Sequence, residues 1–70
     1  MDKVEALIEY NTQDLVKIIA EAEGCSIKDA LDKFYNSKTI QALNDRETGL
    51  YLQSPHYIYE VYEELDKQRI

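Results

Sequence analysis

The chain has 70 residues, 44% of them hydrophobic and 31% charged, and it carries a net charge of -6 with eight basic residues dispersed among fourteen acidic ones. This balance argues against functions that depend on phosphate, because a surface for nucleic acid or anionic lipid needs a clustered excess of Lys and Arg. No apolar run approaches the roughly 20 residues of a membrane span, and the acidic N-terminal sequence is unlike a signal peptide, so we predict a cytoplasmic protein without membrane contact.

The sequence lacks the devices that usually stabilise a small domain. Cys25 is the one cysteine and His56 the one histidine, so neither an internal disulfide nor a closed zinc site is possible. In a chain of this length, apolar burial stabilises the fold by about as much as ordering the chain costs. We therefore predict a single helical domain over residues 1–70, without metal or cofactor. Association as a homodimer is the predicted further source of its stability, although very good helix packing could suffice.

The first segment, from Asp2 to Glu23, has apolar residues at helical spacing and is followed by Gly24, a typical C-terminal stop. Tyr10 lies nearly opposite the apolar stripe, whereas Asn11 falls inside it. Two interpretations of Asn11 are open. It lies at an edge or a local break of the helix, or it is a buried amide that fixes the register of a helix pair.

A second helix is predicted to begin after Ser26, whose hydroxyl can accept hydrogen bonds from the first turn, with Asp29 placed near the positive helix end. One complete apolar face follows at helical spacing: Ile27, Ala30, Leu31, Phe34 and Tyr35. Asn36 and Ser37 predict a tight corner, and Ser37 can cap a short third helix.

The last part of the chain predicts a turn, a connector and a closing helix. The polar residues 44–49 indicate a surface turn, and residues 50–53 alternate two Leu with Tyr and Gln, which predicts a short extended connector with both leucines inward. Ser54 and Pro55 predict a helix start, and the helix is expected to reach about Gln68. Its predicted inner face consists of Ile58, Val61, Tyr62 and Leu65. The predicted fold class is all-α, a small bundle of three to four helices.

The residues capable of chemistry do not form a catalytic pattern. Cys25 precedes a helix start, where a thiolate is favoured, but the spacing of His56 signals no third, orienting group. Four acids line the outer sector of the last helix: Glu60, Glu63, Glu64 and Asp66. We interpret them as a solvated face, with Glu63 and Lys67 as an ion pair. With two glycines there is no phosphate loop, and we predict no enzyme: no catalytic, cofactor-binding or metal-binding residue.

Four of the six tyrosines are predicted at or outside the apolar stripes: Tyr10, Tyr51, Tyr57 and Tyr59. Tyrosine is enriched at interfaces because it offers a large contact area at low entropic cost. The alternative is that a small domain has so much surface that some tyrosines must lie on it. We predict a protein-interaction module in which these four side chains contact a second copy of the chain, a second protein, or both.

A different class of function remains as the alternative. The helices on either side of the corner at residues 36–37 could form a helix-turn-helix of a DNA-binding transcriptional regulator, which would present four polar side chains: Lys38, Gln41, Asn44 and Arg46. Asp45 and Glu47 dilute this surface, and no basic stretch supports it. Nucleic-acid binding is therefore the second hypothesis.

Two short motifs also carry a resemblance. F-Y-x-S is followed by G-L-Y-L-x-S and by a tyrosine-containing helix, and the matching positions are Phe34, Tyr35, Ser37, Gly49, Leu50, Tyr51, Leu52 and Ser54. This half of the chain resembles a family of short, uncharacterised bacterial proteins. The resemblance implies a small all-helical bacterial cytoplasmic protein, encoded beside toxin-like or ADP-ribosyltransferase-like genes, with an antitoxin-like or accessory role. It brings no catalytic residue with it.

Overall fold

The computed structural model describes residues 2–67, which form four α-helices joined by short turns, and no strand occurs within that range. The helices are α1 (Lys3–Glu23), α2 (Ile27–Tyr35), α3 (Lys38–Asn44) and α4 (Pro55–Asp66). The long helix α1 packs against both α2 and α4, and α3 packs against α4. The predicted all-α bundle is therefore confirmed.

Each helix begins at a residue whose side chain accepts a hydrogen bond from the backbone amide three residues further on. These caps are Asp2, Ser26, Ser37 and Ser54, and each satisfies one of the amides that a helix start leaves without a partner. Helix α1 ends at Glu23 and is followed by the capping residue Gly24, whose φ of 65° lies in the left-handed region that favours glycine. The starts predicted from Ser26, Ser37 and Ser54 are all confirmed.

One apolar core joins the four helices. Its buried side chains are Leu15, Val16, Ile19, Ala20, Ala30, Phe34, Ile40, Leu43, Leu50, Ile58 and Tyr62. Tyr62 is a core residue, as predicted, and burial is the main reason that the pKa of its phenol is raised. Leu65, which was predicted on the inner face, is 46% exposed instead. The predicted helix end at Gln68 lies outside the described residues.

The connector before α4 is not extended. Leu50–Leu52 form a turn of 3-10 helix, in which the Leu52 amide donates to the Gly49 carbonyl and the Gln53 amide donates to the Leu50 carbonyl, each at 3.0 Å. Two residues at i and i+2 share a side only in an extended chain. Leu50 is therefore buried while Leu52 is 67% exposed, which corrects the prediction that both leucines point inward.

Asn11 joins this connector to α1. Helix α1 runs through Asn11 without a break, and the half-buried side chain donates from Nδ2 to the Tyr51 carbonyl oxygen at 2.8 Å. The amide therefore satisfies a backbone group of the connector, within the same chain, at the edge of the core. This bond explains why a polar residue occupies the apolar stripe of α1.

Asp66 was predicted on a solvated face, but it caps α3 from the far end of the chain. Its carboxylate accepts hydrogen bonds from the Lys38 and Thr39 amides at 2.7 and 3.2 Å, and from the Thr39 hydroxyl at 2.6 Å. An acid is favourable at a helix N-terminus because the free amides there carry partial positive charge. Asp66 thus ties the last turn of α4 to the start of α3.

We expect Asp66→Ala to lower the free energy of unfolding by about 1–3 kcal/mol, since the amides of Lys38 and Thr39 lose a charged acceptor. Urea denaturation followed by circular dichroism measures the change, and Glu64→Ala, on an exposed position of the same helix, is the matched control. Equal stability of the two variants would contradict a structural role for Asp66.

Candidate functional site

A groove lies between α1 and α2, and residues of α3 also contribute to its lining. It has a volume of about 610 Å³. Six apolar side chains line it: Ile8, Val16, Ile27, Leu31, Tyr35 and Ile40. The hydroxyl of Thr12, also in the lining, already donates to the Ile8 carbonyl at 2.7 Å. The groove therefore presents a mainly apolar surface, and the hydroxyl of Thr12 already has a hydrogen-bond partner within the chain.

The groove exists because the apolar face of α2 is wider than the core. Ala30 and Phe34, four residues apart, form one row on α2, and both are fully buried. Ile27 and Tyr35 lie on the adjacent row, and they are 53% and 57% exposed. A helix side chain at i, i+4 and i+8 follows one line along the surface. The inner row of α2 thus fills the core, while the outer row forms a wall of the groove.

The opposite rim of the groove carries charge of both signs in a regular order. Glu5, Glu9, Gln13 and Lys17 recur every four residues along α1, and all four line the groove and are exposed. The rim is therefore acidic towards the start of α1 and basic towards its end. At the acidic end Arg46 Nη2 lies 2.7 Å from Asp2 Oδ2, an exposed pair outside the groove lining.

The four predicted contact tyrosines do not line this groove. Tyr10 is 66% exposed and lies beside the rim, in a smaller cavity that it shares with Glu9 and Gln13. Tyr57 is 47% exposed on α4. Tyr51 and Tyr59 are partly buried and pack against the core, so for these two the core-rim interpretation fits the structure better than a free surface does.

The exposed residues that line the groove were missed at the sequence level. Ile27, Leu31 and Tyr35 were assigned to one complete face, and nothing in their spacing says how much of that face the core covers. Five apolar residues on a nine-residue helix did signal a face too wide for one small core. The width of the face of α2 was therefore a signal of uncovered apolar surface, but it did not indicate which residues of that face the core leaves exposed.

The two reactive side chains, Cys25 and His56, lie in different parts of the fold. Cys25 is half buried and packs against the core between α1 and α2. His56 is exposed in the first turn of α4, in a shallow depression with Asp14, Ile18 and Glu21 of α1. Among residues 2–67 no three His, Cys, Asp or Glu side chains come together as metal ligands.

Glu23 forms a polar cluster at the end of α1. Its Oε1 accepts from Lys33 Nζ at 2.8 Å, and Lys67 Nζ lies 3.5 Å from Oε2, a buried oxygen that accepts no hydrogen bond within residues 2–67. The hydrogen bond from Lys33 lowers the pKa of the Glu23 carboxyl, against the opposing effect of burial. An acid at a helix C-terminus is unfavourable, and the two lysines offset this. Lys67 is thus directed to Glu23, not to the predicted partner Glu63.

The surface of the helix-turn-helix hypothesis is exposed at all four predicted positions, namely Lys38, Gln41, Asn44 and Arg46. Helix α3, however, has only seven residues, and Asp66 covers its N-terminus with a carboxylate. A recognition helix usually directs its N-terminal residues at the DNA, so an acid at that position opposes approach to phosphate.

No family model, no curated protein and no solved structure matches the chain. A proposal about its function therefore depends on the geometry described above. The resemblance to a family of short bacterial proteins stays a prediction. Within residues 2–67, none of the helices combines the length and the apolar character that crossing a membrane requires.

The Glu23 cluster makes stability depend on pH. Because the folded pKa of Glu23 lies below its ordinary value of 4.5, the carboxylate stabilises the fold above pH 4.5, and this contribution is lost as the pH falls through the folded pKa. We expect Glu23→Gln to cost about 1 kcal/mol at neutral pH, the low end for a charged hydrogen bond because Lys33 is partly solvated.

The measurement is chemical denaturation of wild type and Glu23→Gln from neutral pH down through the acid range. The difference between the two should shrink below pH 4.5. Glu21→Gln, an exposed acid two residues earlier on the same helix, is the control and should show no such convergence. A pH-independent difference for Glu23→Gln would refute the linkage.

Proposed function

We propose that this chain is a small protein-interaction module whose working form is a homodimer, and that the groove between α1 and α2 is its self-association surface. The observation that carries the proposal is the exposed outer row of α2: two large apolar side chains, Ile27 and Tyr35, stand more than half exposed on the wall of an apolar groove. Grooves of this kind commonly accept an amphipathic helix. The outer row of α2, which includes Ile27 and Tyr35, is itself the apolar surface of such a helix.

A second copy is supported as the occupant by the pattern of charge on the rim. In a two-fold dimer each surface meets itself, so a residue at one end contacts a residue at the other end of the partner. A rim with acid at one end and base at the other is complementary to its own antiparallel copy. A strongly basic or strongly acidic partner would instead meet one end of the rim with like charge.

Dimerisation through this groove leaves α4 outside the interface. The groove lining includes residues of α1, α2 and α3 but none of α4, so the predicted contact residue Tyr57, which is 47% exposed, would stay accessible in the dimer. An antitoxin-like or accessory role would then consist of binding a second protein at α4. The proposal thus assigns self-association to one side of the bundle and a second partner to α4.

The DNA-binding alternative is supported less well, because the net charge is -6 and the N-terminus of α3 is covered by Asp66. Salt-sensitive retention of the purified protein on duplex DNA would favour it over the proposal.

We expect wild type to shift from monomer to dimer with increasing concentration, and Ile27→Ser/Tyr35→Ser to weaken dimerisation by about 100-fold or more, since each copy loses two large apolar contacts. Sedimentation equilibrium measures the dissociation constant. Both side chains are already more than half exposed in the monomer, so the variant is expected to keep its fold, which circular dichroism verifies.

The matched control is Leu52→Ser/Tyr57→Ser, which removes one aliphatic and one tyrosine side chain of comparable exposure outside the groove. Its dissociation constant should equal that of wild type. A wild type that stays monomeric at about 1 mM would reject the proposed function, since its dissociation constant would then be too weak for a working dimer. A dimer disrupted only by Leu52→Ser/Tyr57→Ser would place self-association on the other side of the bundle.

A further inference from the structure

We infer that the outer row of α4, formed by Tyr57, Val61 and Leu65, is a docking surface for a basic amphipathic helix of a second protein. This inference rests on the part of the proposed function that assigns a second partner to α4, and it adds the residues of that surface and the chemistry of the partner. It starts from one juxtaposition: this apolar row lies beside Glu60 and Glu64, two exposed acids on the same helix.

Helix α4, like α2, has an apolar face wider than the core covers. Ile58 and Tyr62, four residues apart, form its inner row, and both are buried. Tyr57, Val61 and Leu65 are also four residues apart, so they follow the adjacent line along the helix surface. Tyr57 and Leu65 are each nearly half exposed, and Val61 between them is partly buried against the core. The bundle itself therefore leaves the two ends of this row uncovered.

The charge that borders this row has one sign. Because each residue advances about 100° around a helix, Glu64 lies about 20° and Glu60 about 60° from Tyr57, both on the side away from the core. The twelve residues of α4 include no Lys or Arg. Lys67, which follows the helix, lies 3.5 Å from Glu23 Oε2 and is thus directed to the end of α1. The row is therefore bordered by acids that no Lys or Arg of α4 offsets.

The acids decide which occupant fits this surface. In a contact between two copies of α4, Glu60 and Glu64 would meet acids of the other α4 in either orientation, and this repulsion disfavours a second copy. Nucleic acid and anionic lipid carry phosphate and meet the same repulsion. A helix with Lys or Arg beside its apolar side chains would instead oppose each acid with a base.

The spacing of the row indicates a helical segment as the occupant. Apolar side chains at i, i+4 and i+8 form a ridge that packs between the ridges of a second helix, and such anchors are the usual basis for recognising an amphipathic helix. The apolar ridge would supply most of the affinity, while the acids would attract a basic partner and exclude acidic ones. Within residues 2–67, the lining of the groove between α1 and α2 includes no residue of α4, so this docking surface and the self-association surface are separate.

Binding of a defined peptide tests the surface. The probe is a synthetic helix of about 15 residues with Leu along one side and Lys on both flanks, and its acidic twin has Glu in place of each Lys. Fluorescence anisotropy of the labelled peptides measures the dissociation constants. Wild type should bind the basic peptide and not the acidic twin. Tyr57→Ser/Leu65→Ser should bind the basic peptide at least about tenfold more weakly, since it loses two apolar contacts.

The role of the acids is tested by removing their charge while keeping their shape. Glu60→Gln/Glu64→Gln should bind the basic peptide about fivefold more weakly at low salt, and the difference should shrink as salt screens the charges. Asp29→Asn/Asp32→Asn makes the same change in net charge at two exposed positions of α2 outside the groove lining, and it should bind like wild type. Equal weakening by both variants would show nonspecific attraction and overturn the inference.

The groove variant separates this surface from self-association. Ile27→Ser/Tyr35→Ser should bind the basic peptide like wild type. Tyr57→Ser/Leu65→Ser should dimerise like wild type and keep its fold by circular dichroism, because both side chains are already exposed. If wild type dimerises but shows no peptide binding at about 1 mM, or loses it only in the groove variant, the inference is wrong and the homodimer stands. A monomeric wild type that binds the peptide through Tyr57 and Leu65 would reject the homodimer and leave the docking surface in place.

Discussion

The packing of α2 against α1 is the contact on which the other features depend. Ala30 and Phe34 enter the core without any exposed surface, and this placement fixes the rotation of α2 about its own axis. Once that rotation is fixed, the next row of α2 has to stand outside the core. The exposure of Ile27 and Tyr35 is thus a geometric consequence of burying Phe34, and the groove follows from the same contact.

Long-range polar contacts hold the rest of the bundle to this helical pair. Asn11 fixes the connector, Asp66 caps α3, and Glu23 accepts from Lys33 on α2 and lies near Lys67 beyond α4. In each case a side chain from one helix satisfies a backbone group or a charge that another element leaves without a partner. Such bonds are worth about 1 kcal/mol each, which matters in a domain whose apolar core is small.

Local signals in the sequence predicted the fold well. The caps at Ser26, Ser37 and Ser54 and the stop at Gly24 depend on the chemistry of a few neighbouring residues, so they can be derived from the sequence. The same holds for the burial of Phe34 and Tyr62. The connector was predicted wrongly because four residues of alternating character fit either an extended segment or a tight turn, and nothing local decides between them.

What could not be predicted depends on residues that are distant in the sequence. Asp66 lies 28 positions from Lys38 in the sequence. Its position on the helical wheel of α4, taken by itself, predicts a solvated side chain. Glu23 pairs with Lys33 across the turn between α1 and α2, where spacing along one helix gives no indication of it. The groove was missed for a related reason: the width of the apolar face of α2 was visible, but the extent to which the core covers it is a property of the folded chain.

Self-association of an acidic chain has to overcome repulsion between like net charges. Each copy carries -6, and this long-range repulsion is screened beyond about 8 Å at physiological ionic strength. In the proposed dimer, the charges on the groove rim would act at shorter range, and salt would screen them less where they are partly covered. Moderate salt should therefore weaken the general repulsion more than it weakens the local complementarity. In the proposed dimer, the distribution of charge on the rim, and not the net charge alone, would therefore decide how strongly two acidic copies repel or attract each other.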